Sequence, residues 1–369
     1  MYLFQPFFGL AYKRILKPIL FLGDPEKIHD GFLKIGGFLG GNPIGRKFLR
    51  DIFFYKHLSL KQNIHGIDFQ NPVGLSAGFD KDGKIVPILE QIGFGFTQIG
   101  SVTLHPYEGN PGKRLIRLIK SKAILVNYGL KNDGVKEIIQ RVKKHKTSIP
   151  LSFSIAKTNS KKASTRTEAI KDYIGSIKQV DASGLASFIT INISCPNTFG
   201  GEPFNDPKSL TSLLKEVDTL KLKLPIFVKM PNDVSWEIFD SLLKVIIKYK
   251  LAGVIISNLV KDRSLSKDVI PDDQKGAMGG LPAKEVSNKL ISKTYRRYGE
   301  KLTIIGVGGI FNAEDAYEKI KLGASLVQLI TGMVYEGPQL ISTINHGLVR
   351  LLSEDGYKDI REAIGSAHR

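Results

Sequence analysis

The sequence predicts a closed (β/α)8 barrel, the TIM-barrel architecture of the α/β class, over residues 61–369, with a small helical extension over residues 1–60. Two observations carry this prediction. From Asn71 onward, short runs of β-branched and other apolar residues recur eight times, and stretches with helical periodicity and a polar face separate them. Eight such alternations are typical of a closed parallel barrel. An open doubly wound sheet is the alternative, but it usually has fewer strands and a glycine-rich turn after the first one.

The predicted strands are short segments that end in small or polar residues. They are Val73–Ala77, Phe96–Thr103, Leu151–Ile155, Phe188–Ser194, Ile226–Met230, Gly253–Ser257, Leu302–Val307 and Ser325–Ile330. Helical periodicity is clearest at Ser235–Tyr249, Ala283–Tyr298 and Ala313–Lys321. Because the residues that follow the strands of such a barrel share one mouth, we expect the polar side chains at these ends to form one site.

The extension divides into an apolar stretch, residues 1–23, and an amphipathic helix that Asp24-Pro25-Glu26 opens as N-cap, first-turn proline and first-turn acid. The apolar stretch is interrupted by Lys13, Arg14, Lys17 and Pro18. It therefore lacks the run of about 20 apolar residues that spans a membrane, and it lacks the order of a signal peptide. The helix places Ile28, Phe32, Ile35 and Phe38 or Leu39 on one face. Two interpretations stay open, namely helices lying in a membrane interface and a helical hairpin packed on the barrel.

Residues 190–201, T-I-N-I-S-C-P-N-T-F-G-G, lead from a buried strand into a loop, since a proline and two glycines end the strand pattern. Cys195, the only cysteine of the chain, lies at this junction between Asn192, Ser194 and Asn197. A thiol among carboxamides and a hydroxyl suits a small polar ligand. A buried structural cysteine is the alternative, but neither asparagine would help a core.

Composition narrows the function classes. The chain is 42% hydrophobic and 24% charged, as a soluble globular enzyme is, and a single cysteine excludes a disulfide framework and fits a reducing compartment. The absence of H-E-x-x-H, of a Cys/His cluster and of a Ser-His-Asp spacing argues against a metal site and a hydrolase triad. The net charge of +18 allows nucleic acid, a phospholipid surface or small anions as partners. Scattered surface lysine explains the charge equally well.

Glycines follow the last two predicted strands, at Gly308–Gly309 and Thr331–Gly332. Barrels of this kind commonly bind a phosphate there with backbone amides, so the sequence indicates a phosphate-bearing cofactor. The other strand ends contribute cations, amides, hydroxyls and one carboxylate. They are Asp80, Lys81, Ser101, Asn127, Lys157, Asn192, Lys229, Ser257 and Asn258.

Seven motifs follow one another over nearly the whole chain. They are N-P-V-G-L-S-A-G-F-D-K-D-G (71–83), I-N-I-S-C-P-N-T (191–198), V-K (228–229), I-S-N (256–258), G-G-L (279–281), I-I-G-V-G-G-I (304–310) and G-A-S-L-V-Q (323–328). Together they closely resemble the dihydroorotate dehydrogenases. The segment D-P-E-K-I-H (24–29) is similar to the membrane-associated, quinone-using class 2 enzymes, which alone carry such an extension. The resemblance implies FMN in the barrel mouth and oxidation of dihydroorotate to orotate in UMP biosynthesis.

The resemblance also implies roles for residues by matching position. FMN would be lined by Ala77, Gly78, Ser101, Asn192, Lys229, Ser257, Gly309, Thr331 and Gly332. The substrate would be held by Lys81, Asn127, Asn192, Asn197 and Asn258. A cation suits its carboxylate and carboxamides suit its amide edges. Cys195 would remove the C5 proton while the C6 hydride passes to FMN, residues 198–206 would form a lid, and His29 and Arg117 match quinone-side positions.

The chain departs from the class 2 pattern at several positions. Class 2 enzymes carry serine at the position of Cys195, whereas cysteine is found in the soluble class 1 enzymes. The family stretch N-R-x-G-F-N is here N-Y-G-L-K-N (127–132), one residue shorter. Ser154 stands where an FMN-contacting asparagine is expected, Ala283 where a glycine is, and Ile330 where a quinone-side tyrosine is.

Three other functions compete with the class 2 assignment. A class 1-like enzyme would use fumarate or NAD, but it would lack the extension. An FMN-dependent tRNA dihydrouridine synthase would suit the charge, but Lys81, Asn197 and the missing helical RNA-binding domain oppose it. A membrane-bound scaffold on an inactive barrel leaves the polar strand ends unexplained. We therefore expect dihydroorotate, orotate and a membrane quinone, ubiquinone or menaquinone, as partners. We expect no nucleic acid, and a peripheral, monotopic position on the cytoplasmic side of the membrane, against anionic lipid.

Overall fold

The structure is a computed structural model. It describes residues 5–195, 197–198 and 204–369, with side chains from residue 7 onward. The proline and glycines at positions 196, 200 and 201, where we predicted a loop, lie outside the described residues, as do residues 199–203 of the predicted lid.

The strands follow the predicted segments closely and add two short hairpins and one strand that pairs with the second hairpin. They are β1 (Gln62–Ile64), β2 (Ile67–Phe69), β3 (Val73–Leu75), β4 (Phe96–Val102), β5 (Leu115–Leu118), β6 (Ala123–Val126), β7 (Leu151–Ile155), β8 (Phe188–Asn192), β9 (Ile226–Lys229), β10 (Gly253–Ile256), β11 (Ala277–Gly280), β12 (Thr303–Val307) and β13 (Leu326–Leu329).

Among the described residues, eight parallel strands close into a barrel in the order β10-β12-β13-β3-β4-β7-β8-β9. Each lies within one of the eight predicted segments, so the predicted fold is confirmed. The strands are nearly continuous apolar runs because helices cover the outside of a parallel barrel while side chains fill its inside. Strands β5, β6 and β11 form a separate antiparallel sheet that the sequence did not indicate.

The helices alternate with the barrel strands. They are α1 (Gln5–Ala11), α2 (Lys17–Leu22), α3 (Pro25–Gly41), α4 (Pro43–Phe53), α5 (Val86–Leu89), α6 (Val135–Val142), α7 (Arg166–Ser183), α8 (Pro207–Thr219), α9 (Trp236–Lys248), α10 (Lys284–Tyr298), α11 (Ala313–Lys321), α12 (Thr331–Glu336), α13 (Leu340–Glu354) and α14 (Ile360–Ala363). A π-helical turn, Tyr12–Leu16, joins α1 to α2. The three helices predicted from periodicity, α9, α10 and α11, are confirmed within a residue of their bounds.

Aromatic residues and the β1–β2 hairpin close the amino-terminal end of the barrel. Phe69 of β2 packs edge to face on Phe96 of β4, with ring centroids 5.4 Å apart. This inner cluster comprises Phe69, Phe96, Phe188, Phe227, Ile255, Ile305 and Leu326. Since this end is filled, only the carboxyl ends of the strands remain for chemistry.

The extension packs on the barrel through α3. Asp24 caps the helix as predicted, because its carboxylate accepts hydrogen bonds from the N–H groups of Glu26 and Lys27. The buried face contains Gly36 and Gly40, where a Cβ would lie only 2.8 Å from Ile85 and 2.9 Å from Ile88. The two glycines thus let α3 approach closely to α5.

The residues that periodicity singled out on α3 divide between two environments, since Leu39 packs against the hydrophobic core and the others are at least partly exposed. Phe32 and Ile35 are 40% and 59% exposed, and Phe38 on the same helix is 73% exposed. One face of α3 therefore packs on the barrel, as the second interpretation predicts, while apolar side chains remain exposed elsewhere on the helix. Contact of these side chains with a membrane stays a prediction. No helix in the described part of the chain has the length and apolar run that crossing a membrane requires.

Candidate active site

One cavity of about 440 Å³ begins at the carboxyl ends of the barrel strands and continues between the helices of the extension. It is lined by all but one of the residues to which the resemblance assigned a cofactor, substrate, base or quinone-side role, whereas the predicted strand-end residues Asp80 and Lys157 are buried outside its lining. The lining includes His29, Ala77, Gly78, Lys81, Ser101, Arg117, Asn192, Cys195, Asn197, Lys229, Ser257, Asn258, Gly309, Thr331 and Gly332. Asn127 is the exception. It follows β6 and is buried beside the wall, between the lining residues Val126 and Tyr128.

Hydrogen bonds between neighbouring strand ends orient the polar wall. The Nδ2 group of Asn192, at the end of β8, donates to Ser101 Oγ at 2.8 Å. The Ser101 hydroxyl also lies 3.0 Å from that of Ser154, on β7. Ser154 therefore lies behind Ser101, at the position where the resemblance implied a cofactor-contacting asparagine. The backbone of Asn192 is held in turn, since Tyr173 donates to its carbonyl oxygen at 2.6 Å.

Ser194 links three strand ends beneath the predicted base. Its hydroxyl donates to the Lys229 carbonyl oxygen at 3.0 Å. Asn258 Nδ2 donates to the Ser194 Oγ at 2.9 Å and also to the Ser194 carbonyl oxygen. These bonds fix the backbone immediately before Cys195, which is partly exposed and in no disulfide.

Two buried lysines give the polar end of the cavity its positive charge. Burial lowers the pKa of Lys81 to about 8, against the opposing effect of the Asp82 carboxylate. Burial likewise lowers the pKa of Lys229 to about 8, against the opposing electrostatic effect of Cys195. Lys157, which follows β7, is also buried, and burial lowers its pKa while Cys195 raises it. Cys195 thus lies within the electrostatic reach of two cations, an arrangement that favours a thiolate.

Lys81 is held at the point where the polar and apolar parts of the cavity meet. Its ammonium group lies 3.9 Å from the ring centroid of Tyr128 and 3.4 Å from Nε2 of His29, on α3. Burial and the charge of Lys81 lower the pKa of His29 to about 3, so this imidazole is neutral at pH 7. The chain turns after β3 because the buried Asp80 carboxylate accepts from the N–H groups of Lys84 and Ile85.

The far part of the cavity is an apolar passage. It is lined by Phe21, Ile28, Phe32, Ile35, Leu39, Leu49, Phe53, Met333 and Val334, among others. Arg117, on β5, lies at its side. The guanidinium donates to the carbonyl oxygens of Phe21 and Gly23, at 3.3 and 2.8 Å, and lies over the Phe21 ring. The predicted quinone-side residues His29 and Arg117 therefore line the cavity at this passage. Arg117 also caps the carboxyl end of α2 through its two hydrogen bonds.

Glu26 of α3 joins the extension to the sheet beside the barrel mouth. Its carboxylate accepts two hydrogen bonds from Arg114, at 2.9 and 2.5 Å, and one from Lys131, at 3.2 Å. Arg114 in turn accepts the N–H of Asn127 at its carbonyl oxygen, at 2.8 Å. The extension is thereby tied to the loop that contains Asn127.

Backbone geometry at the strand ends fits a cofactor that approaches closely. Gly78 has φ +115°, and a Cβ there would meet only Ile330, at 3.6 Å, so a side chain would occupy the cavity itself. Gly308 and Gly309 have φ of +113° and +70°, a region that favours glycine. A Cβ on Gly332 would lie 1.9 Å from the Ile310 carbonyl oxygen. These positions form a cradle of backbone, as the phosphate-bearing cofactor predicted from the sequence requires.

Asn110 and Tyr128 were missed by the sequence analysis. Asn110 lies in E-G-N-P-G (108–112), a pattern that indicates only a turn. Tyr128 lies in the stretch whose length departs from the family pattern. No local sequence signal indicated that Tyr128 contacts Lys81, because this cation–π contact joins residues that are distant in sequence.

Comparison with known proteins agrees with this geometry. The sequence model of the family described as dihydroorotate dehydrogenase matches residues 59–352. The chain is 37% identical to a dihydroorotate dehydrogenase (quinone) of Crocosphaera subtropica over 360 residues, covering 93% of this chain and 94% of that protein. It is 34% identical to one of Mycobacterium tuberculosis over 357 residues, covering 96% and 98%.

Solved structures give the same result. The crystal structure of DHODH from Eimeria tenella in complex with ferulenol superimposes with a TM-score of 0.83 at 27% identity, over 94% of this chain and 96% of that one. A ligand-free structure from the same organism has the same score and covers 94% and 100%. The chain therefore belongs to the dihydroorotate dehydrogenase family, in its quinone-dependent class 2.

Proposed function

We propose that this chain oxidises (S)-dihydroorotate with Cys195 as the base, and that its electrons leave to a membrane quinone through the apolar passage. Family membership supports the reaction, an FMN-dependent oxidation in pyrimidine biosynthesis, and the quinone dependence named in its near-full-length relatives supports the acceptor. One observation supports the rest of the proposal, namely the position of the base and the route of the electrons. A continuous cavity joins a cationic, amide-lined end at the barrel mouth to an apolar end between the helices of the extension.

Bound FMN would supply the acceptor for the hydride that leaves C6 of the substrate. The residues that would hold it are those of the backbone cradle, Gly78, Gly309 and Gly332, together with Ser101 and Lys229. Ser101 is oriented by Asn192. Lys229 would supply a cation beside the reduced cofactor, and such electrostatic stabilisation of developing negative charge accelerates hydride transfer.

The substrate would be held by Lys81 at its carboxylate and by asparagine side chains at its amide edges, with Asn192, Asn197 and Asn258 on the cavity wall. Cys195 would take the C5 proton on its sulfur. The neighbouring Lys157 and Lys229 favour the thiolate that this role requires. Substrate binding by Asn127 stays a prediction, because this residue does not line the cavity and its amide would have to reach the substrate from behind the lining residues.

The acceptor is tested by direct comparison. We expect the purified protein to be yellow, to release FMN on heating, and to be bleached by dihydroorotate without another protein. Reoxidation should be much faster with a quinone than with fumarate or NAD. Equal or faster turnover with fumarate or NAD would overturn the quinone proposal and favour a class 1-like enzyme.

A charge placed in the apolar passage should separate the two half-reactions. We expect Phe32→Glu to raise the KM for a short-chain, water-soluble quinone about tenfold or more. A quinone bound in the passage would remove water from the introduced carboxylate, and this desolvation costs free energy. Reduction of the flavin by dihydroorotate should keep the parental rate. Phe38→Glu is the matched control, since Phe38 is on the same helix but is 73% exposed and does not line the cavity. Equal effects from both variants would refute this route.

The outer face of the extension supports peripheral membrane contact. Twelve of the eighteen exposed large apolar side chains among the described residues lie between Phe7 and Phe48, and exposed Lys13, Arg14, Lys34 and Lys47 accompany them. Such a patch suits an anionic lipid surface. We propose the cytoplasmic side, whose acidic lipids attract basic segments. Vesicles of acidic lipid should bind the protein more strongly than neutral ones, and Leu22→Asp should weaken that binding. Equal binding to both vesicle types would contradict the proposal.

A further inference from the structure

Asn110 lies between β4 and β5, outside the lining of the cavity, and its carboxamide uses its full hydrogen-bonding capacity. Nδ2 donates to Asn127 Oδ1 at 3.1 Å and to the Asn197 carbonyl oxygen at 3.0 Å. Oδ1 accepts from the Tyr107 hydroxyl at 2.9 Å and from Asn159 Nδ2 at 3.2 Å. Two residues predicted to bind substrate, from different parts of the chain, are therefore held by one amide.

The surroundings allow this amide little freedom. A Cβ on Gly129, which has φ +65°, would lie 2.2 Å from Asn110 Oδ1, so the loop after β6 has no side chain there. Asn159 donates to the Gly129 carbonyl oxygen at 2.9 Å. Asn197 closes the network, because its Nδ2 donates to the Val126 carbonyl oxygen at 2.9 Å.

The direction of these bonds matters for Asn127. Asn110 donates an N–H to the side-chain oxygen of Asn127, and this bond fixes which end of the Asn127 amide faces Asn110. The NH2 group of Asn127 is therefore the end that can donate to another partner. An NH2 group is the donor that a carboxylate or carbonyl ligand needs. A carboxylate at position 110 would instead place one oxygen against the Asn127 side-chain oxygen and another against the Asn197 carbonyl oxygen. Because two acceptors repel each other, the Asn127 amide would then tend to rotate.

We propose that Asn110 is a positioning residue for the dihydroorotate site. It touches neither substrate nor cofactor, and it fixes the amide direction of Asn127 and the backbone of Asn197 through its two N–H donors. The inference rests on the proposed function, since it assumes that Asn127 and Asn197 face the substrate. It predicts that the donor character of residue 110, rather than its size, sets the affinity for the pyrimidine.

The test compares Asn110→Asp, which keeps the shape and removes both N–H donors, with Tyr107→Phe, which removes one bond to Asn110 Oδ1 and leaves the donors intact. We expect Asn110→Asp to raise the Kd for orotate and the KM for dihydroorotate about tenfold to hundredfold. FMN content, melting temperature and the KM for a short-chain quinone should stay near the parental values. Tyr107→Phe should change the orotate Kd less than about threefold, because only one acceptor contact is lost.

The pH dependence distinguishes positioning from simple loss of structure. Protonation of the introduced carboxyl restores one O–H donor, so the orotate affinities of Asn110→Asp and the parent should converge as pH falls. Asn110→Ser, which keeps one donor, should fall between them, and it serves as the test if the aspartate variant does not fold. Parental orotate affinity in either variant, or an affinity loss that follows FMN loss and is independent of pH, would overturn the inference. Failure of the parent itself to bind orotate would instead overturn the proposed function.

Discussion

Replacing Cys195 with alanine is expected to slow the reduction of bound FMN by dihydroorotate by a factor of about 10² to 10⁴, the usual contribution of a positioned base. The cause is local, because the alanine leaves the C5 proton without an acceptor on the residue that lines the cavity between Asn192 and Asn197. Binding of FMN and orotate should persist, since Ser194 and Asn258 hold the backbone there independently of the thiol. Stopped-flow bleaching of the flavin measures the step directly.

Cys195→Ser is the informative companion. A thiol ordinarily has a pKa of about 8.5, whereas a serine hydroxyl is far less acidic and needs a relay to lose its proton. We expect the serine variant to remain active but slower, and its rate plateau to move to higher pH. If the alanine variant were reduced as fast as the parent, Cys195 would be structural and the base would lie elsewhere.

Replacing Lys81 with methionine should raise the KM for dihydroorotate about 10- to 150-fold, because a charge-assisted contact of about 1.5–3 kcal/mol is lost. Methionine retains the apolar stem beside Tyr128, so FMN binding should be unaffected. The pH profile gives a second signature. The pKa of Lys81 is lowered to about 8, so its charge is present below that pH and is lost above it. Parental kcat/KM for dihydroorotate should therefore fall as pH rises through about 8.

The control for this variant is Lys84→Met, since Lys84 pairs with Asp82, the carboxylate that also acts on Lys81, but its side chain is 42% exposed. It should leave the KM for dihydroorotate within about twofold of the parental value, because exposed ion pairs contribute little. An unchanged KM in Lys81→Met, or an alkaline decline that persists in that variant, would assign the substrate carboxylate to another group.

The sequence predicted the barrel well because its signal is local. Each strand is a short apolar run bounded by polar or glycine residues, and helix α3 begins with its own cap. The orientation of α3 was not predictable, because apolar periodicity is the same whether a face meets the barrel, a cavity or lipid. Its packed face is instead set by glycines, Gly36 and Gly40, that hydropathy does not weight.

The candidate site divides in the same way. Residues that sit at strand ends, such as Lys81, Lys229 and Asn258, were found because topology brings strand ends together. Asn110 was not found, because its function depends on hydrogen bonds to residues 17 and 87 positions away. Tyr128 was missed for the same reason, since a ring beneath an ammonium group leaves no pattern in the sequence.

The attachment of α3 to the barrel has a consequence for how such chains can be recombined. Glu26 forms ion pairs with both Arg114 and Lys131, which lie 88 and 105 positions later in the chain. A chimera that takes its first 60 residues from a relative must therefore carry a matching acid at position 26, and small residues at positions 36 and 40 to seat against Ile85 and Ile88. Grafts that ignore these partners leave two cations without a counter-charge at the barrel mouth. In this lineage, the extension and the barrel are expected to change together rather than as exchangeable modules.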